Sequence, residues 1–124
     1  MLPLDLQPHL KLYVGEMTPK VTLQYFEGCP NWKTTEGFLD RLIDEGVEVS
    51  VEYQRIDSHE EAVEQGFRGS PTVLVDGVDP FPDDNAPIGL ACRLYKAEQG
   101  SVGSPTLSEL RRAIAAPHRS RAAD

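Results

Sequence analysis

The sequence predicts an α/β domain of order β-α-β-α-β-β-α, a small mixed four-stranded sheet with helices on both faces. Three observations predict it. Short alternating apolar runs (Lys20 to Phe26, Val47 to Val51, Thr72 to Asp76) are separated by stretches with apolar residues at helical spacing. Capping sequences, Ser58-His59-Glu60-Glu61 and Thr106-Leu107-Ser108-Glu109, stand where two of those helical stretches open. Glycine or proline follows where they end, at Gly46, Gly66 and Pro117.

Met1 to Pro19 has early prolines and no sustained period, so residues 1–19 read as an arm lying over the core. The domain proper is 20–116, and 117–124 is a flexible tail. In the first strand Val21, Leu23 and Tyr25 share a face, and Phe26 continues the run, as in a strand covered on both sides. Pro30 suits the first turn of the helix that follows, because its missing N–H is not needed there. That helix runs to about Glu45 with Phe38, Leu39, Leu42 and Ile43 as its buried stripe. Val47, Val49 and Val51 alternate with polar residues in a second strand continuing toward Ile56. Ala62, Val63 and Phe67 are the core-facing residues of the second helix. A crossover between the first two strands must be right-handed, which makes them parallel. Asp76-Gly77 closes the third strand, and Val78 to Ile88 is a long polar loop. Leu90, Cys92 and Leu94 alternate with Ala91, Arg93 and Tyr95 and predict a fourth strand. Gly100 to Pro105 is a linker to a last helix with Leu107, Leu110 and Ile114 on one face.

A chain of 124 residues is one domain, large enough for a core without metal or disulfide staples. Its formal net charge of -8 argues against nucleic acid or an anionic membrane as the main partner. No apolar run approaches the ~20 residues of a membrane span, and the N-terminus is a poor signal peptide. Two cysteines some sixty residues apart do not form a secreted disulfide framework. A cytoplasmic monomer with reduced thiols is the expectation. No Walker loop, GxGxxG or GxSxG is present. His9, His59 and His118 are not at ligand spacing, and Asp76, Asp79, Asp83 and Asp84 lack that of an EF-hand, so no metal site is predicted.

Two stretches hold the residue types that carry chemistry, Cys29-Pro30-Asn31-Trp32 and Gly69-Ser70-Pro71-Thr72. A strand that delivers a cysteine to a helix N-terminus makes a place for a thiolate, because unpaired N–H groups and the positive end of the helix dipole favour the anion. No acidic residue in the first turn opposes it, although Glu27 is near in sequence. From about Lys20 to Ala115 the order strand, Cys-Pro, helix, strand, helix, Ser-Pro-Thr, strand resembles the thioredoxin-like family. The resemblance implies a cis bond before Pro71 and a Ser70 backbone that pairs with an extended peptide or glutathione. It also implies a Cys29 thiolate that attacks a disulfide held in line, with Ser70, Pro71 and Thr72 aligning the substrate. Pro30 would help start the helix and Trp32 would cover one side of the thiol.

Trp32 stands where dithiol members have their second cysteine, and an indole cannot release a mixed disulfide. The expected activity is therefore monothiol thiol–disulfide exchange at Cys29 on a protein or glutathione disulfide. Glutathione or another small thiol would resolve the mixed disulfide as co-substrate, and no resident cofactor is expected. Cys92 is a candidate resolving thiol if the two Cα atoms come within about 7 Å. In a thioredoxin-like sheet the fourth strand neighbours the third, not the first. Cys92 also shares parity with Leu90 and Leu94, so a packed, buried Cys92 is expected and the Cys29–Cys92 disulfide is the alternative. A glutaredoxin-like iron–sulfur protein fits less well, since Tyr25-Phe26-Glu27-Gly28 lacks the expected lysine and the paired glycines of the glutathione loop are missing. Two further classes stay open. One is a non-catalytic module that binds a protein partner in the Pro71 groove. The other is soft-metal or organomercury handling, which requires Cys29 and Cys92 to converge.

Overall fold

The computed structural model of the protein describes residues 18–98 and 100–116. The expected N-terminal arm, apart from Thr18 and Pro19, and the expected tail from Pro117 lie outside the described residues. The described residues form three helices and a mixed three-stranded sheet of order β2-β1-β3, with a separate two-stranded hairpin, β4-β5.

β1 (Lys20–Tyr25) is the central strand. It runs parallel to β2 (Ser50–Arg55), with Leu23 opposite Tyr53, and antiparallel to β3 (Thr72–Val75), with Leu23 opposite Val73. Helix α1 (Trp32–Asp44) makes the crossover from β1 to β2 and stops at Glu45, before Gly46 with φ 99°. Helix α2 (His59–Gln65) joins β2 to β3 and ends on Gly66 in the left-handed region. Helix α3 (Leu107–Ala115) follows the hairpin of β4 (Tyr95–Ala97) and β5 (Gly100–Val102).

The alternation in β1 and β3 places Val21, Leu23, Val73 and Val75 in one core, and the apolar stripes of α1 and α3 cover it with Leu39, Leu42, Leu110, Ala113 and Ile114. A second, smaller core holds Ile56, Ala62 and Phe67, with Phe26 and Ile88 against it. The stripes are narrower than the sequence predicts: Ile43 is 43% exposed and Val63 is 55% exposed.

Both capping sequences start helices. Thr106 and Glu109 form a complete box, each side chain accepting from the other's backbone N–H, at 3.1 and 2.9 Å. Ser58 Oγ accepts from Glu61 N at 3.1 Å, but the Glu61 carboxylate reaches one residue further back, to Asp57 N at 2.7 Å.

The fourth strand is where the expectation fails. Leu90 to Leu94 is irregular, and its strand-type pairing is an isolated parallel bridge between Cys92 and Ser70. The regular pairing begins at Tyr95 and folds back on Gly100–Val102, so part of the expected linker is a strand. The four-stranded sheet is thus three strands plus a hairpin. The cause lies in which side of the segment is buried. Arg93 and Tyr95 face inward at 4% and 5% exposure, whereas Leu90 and Leu94 are 39% and 63% exposed.

Candidate functional site

β1 ends at Tyr25, and the turn after it brings Cys29 N–H back to Phe26 O at 3.3 Å. Pro30 O and Asn31 O then accept from Lys33 N and Thr34 N, opening α1, whose first turn holds no acidic residue. Cys29 is thereby delivered to the start of α1, and it is 0% exposed. Glu27 is turned to Arg55, 3.8 Å away.

The Ser70–Pro71 bond is cis, and Ser70 and Pro71 are buried. Ser70 O lies 3.5 Å from Cys29 Sγ, so the two sequence stretches meet. They are joined there by a third. Cys92 forms a disulfide with Cys29, with Cα atoms 5.6 Å apart and 63 residues between them in sequence. The expected packed Cys92 is replaced by an exposed residue tied to a buried partner. In this form Sγ of Cys29 carries no proton, and its approach to Ser70 O is a sulfur–carbonyl contact.

The backbone of Ser70, expected to pair with a bound peptide, is already paired. Ser70 N donates to Ala91 O at 2.8 Å and Arg93 N donates to Ser70 O at 2.9 Å, with Cys92 between the two bonds. Gly69 permits this approach. Its φ is +114°, and a Cβ there would lie 2.9 Å from Arg93 Cβ and 3.0 Å from Ala91 O.

Arg93 fixes the segment from inside. Its guanidinium pairs with Asp79 Oδ2 at 2.8 Å, donates to Thr72 Oγ1 at 3.2 Å and to Phe81 O, and lies 4.7 Å from the centre of the Tyr95 ring. Asp79 also accepts from Phe81 N at 2.8 Å through Oδ1, so one carboxylate orders both the loop and the arginine. Tyr95 donates to Pro71 O at 2.5 Å. Burial pushes the Tyr95 hydroxyl well above its ordinary pKa, with Arg93 opposing and Asp79 and Glu109 adding. On the other side Gly89 N donates to Phe67 O at 3.1 Å, and Arg68 donates to the carbonyls of Asp84 and Ala86. The long loop after β3 is therefore fastened at several points.

Of the residues the sequence nominates, Cys29, Ser70, Pro71 and Cys92 converge. Thr72 sits beside them in a structural role, donating to Gly69 O at 2.7 Å and accepting from Arg93. Pro30 is exposed. The ring contacts of Trp32 run to Tyr25 (4.3 Å between centroids) and Tyr53 (6.4 Å), with Lys33 over the indole. Sequence reasoning missed the roles of Arg93, which a period-two reading places opposite the apolar residues of its segment, and of Asp79, which it leaves in the long polar loop.

Among the described residues, Ser70 Oγ and Arg93 Nε are buried without a hydrogen-bond partner. Among the same residues no group of three or more His, Cys, Asp and Glu is arranged to hold a metal ion, and no helix is long and apolar enough to cross a membrane. Comparison with protein-family models gives no match, and comparison with curated proteins gives none.

Proposed function

We propose that the protein is a thioredoxin-like thiol–disulfide oxidoreductase whose redox centre is the Cys29–Cys92 pair. The observation that carries this reading is the disulfide itself. It joins a cysteine at the start of a helix to a cysteine hydrogen-bonded, through its neighbours, to the residue before a cis-proline. Cys92 is an exposed residue, so the pair lies toward the surface on its side, where an external thiol would approach. This replaces the single-cysteine cycle expected from Trp32, because Cys92 supplies from across the fold the second thiol that the helix lacks. The parallel β1–β2 pair with α1 between, and an antiparallel β3 that follows the cis bond, support the thioredoxin-like assignment.

In the reducing direction two external thiols become one disulfide and the pair becomes a dithiol; in the other direction a substrate disulfide is reduced. The test is turnover of a peptide disulfide with glutathione as the electron donor. Activity above the uncatalysed rate is expected, with loss when Cys29 and Cys92 are both replaced by serine. A rate equal to that of the buffer would leave the second reading, favoured by the complete burial of Cys29, in which the disulfide is a structural staple of a binding module.

A further inference from the structure

We propose that Cys92, and not Cys29, is the sulfur that meets the exchange partner, so that every mixed disulfide forms on Cys92 and Cys29 acts as the internal leaving and resolving thiol. This rests on the exchange reading above and adds the order of events at its two cysteines.

Three observations carry it. Cys29 is 0% exposed, whereas Cys92 is exposed. Exchange requires the attacking sulfur to approach the disulfide along its axis, so a sulfur shut off from solvent is reached only from within the molecule. The backbone groups that would seat a peptide beside Cys29 are filled, Ser70 N and Ser70 O being bonded to Ala91 and Arg93. Those bonds do not depend on the disulfide alone. Arg93 is held by Asp79, Thr72 and Phe81, and Gly89 by Phe67, so cutting the sulfur–sulfur bond leaves Ala91–Arg93 on Ser70 and Cys29 still covered. In that segment Leu90, Ala91, Cys92 and Leu94 are all exposed residues.

The step balances as follows. An external thiolate bonds to Cys92 Sγ, the Cys29–Cys92 bond breaks, and its electron pair passes to Cys29 Sγ. A second external thiolate then attacks the partner's sulfur on Cys92 and expels the Cys92 thiolate. Two external thiols leave as one disulfide, and the two protons they lose end on Cys29 and Cys92.

The experiment maps the mixed disulfide. The oxidised, unmutated chain is given a short pulse of reduced glutathione, quenched in acid and digested, and the residue carrying glutathione is read by mass. Glutathione on Cys92 is expected; glutathione on Cys29 overturns the proposal. In parallel, Cys29→Ser and Cys92→Ser are exposed to oxidised glutathione. Cys29→Ser, which keeps Cys92, should be modified about tenfold faster or more. An equal or faster rate in Cys92→Ser overturns the proposal, and the pulse on the unmutated chain decides the matter if either variant fails to fold. The two readings fail separately. Glutathione on Cys92 without catalysed turnover removes the oxidoreductase and keeps the order, whereas turnover with glutathione on Cys29 removes the order and keeps the oxidoreductase.

Discussion

A guanidinium only 4% exposed depends on the groups around it, and Arg93 has one carboxylate for its charge. The partners are not equal, since the Asp79 side chain is 27% exposed and the Arg93 side chain 3%. Removing the carboxylate strands a buried cation; removing the cation leaves an anion that water reaches. Asp79→Ala should therefore lower the unfolding free energy by roughly 3 kcal/mol, and Arg93→Met by less, as read in denaturant titrations. Tyr95 gives a prediction in pH. Its folded-state pKa lies above the unfolded value near 10, burial being the main cause, so its contribution is complete below pH 10 and fades as the pH rises further. Tyr95→Phe should remove that part of the alkaline fall. It should also cost roughly 1–3 kcal/mol at neutral pH, because Pro71 O loses its donor. Ser70→Ala should behave oppositely. It deletes a buried hydroxyl without a partner, so the oxidised protein should be as stable as before or more so.

Helix starts are set by a few consecutive residues, and that is why they were legible. The Thr106 box is local in sequence and local in structure, and Thr106→Ala should lower the unfolding free energy by about 1 kcal/mol. The strands divide by the same criterion. In β1 and β3 the alternating apolar residues Val21, Leu23, Val73 and Val75 are buried, so pattern and burial agree for them, while Gln24 and Thr72 are buried as well. In Leu90–Tyr95 the alternation is real but the buried side is the other one. A neutralised arginine and a hydrogen-bonded tyrosine take the interior, and two leucines are left outside. Period two fixes which residues share a face, not which face is inside, and Asp79, which settles the choice, stands 14 residues away. The hairpin escaped because its strands have three residues each and no apolar pattern to mark them.

At the scale of the whole molecule, the same inversion hid the disulfide. With Arg93 inside, the segment lies against Ser70 in a bridge at Cys92, within bonding distance of a cysteine that the sheet order alone keeps apart. The convergence of Cys29 with Ser70 and Pro71 was legible through the family resemblance. The filling of that edge by the chain's own segment was not, because it follows from long-range contacts of Arg93 and Gly89. Joining residues 63 apart restricts the unfolded chain, and loop-closure entropy puts the effect at about 4 kcal/mol. The reduced protein should accordingly unfold at a lower temperature than the oxidised one, as thermal melts with and without reductant would show. The bond also changes the molecule's connectivity. It closes the backbone from Cys29 to Cys92 into a covalent ring that carries α1, β2, α2, β3 and the long loop, while β1 and the segment from β4 to α3 leave it as two tails. A single proteolytic cut on the ring, for instance at the exposed Asp83–Asn85, opens it without parting the pieces. A cut on a tail leaves a fragment with no covalent tie to the rest. For a ring-nicked molecule, reduction is what turns one covalent piece into two.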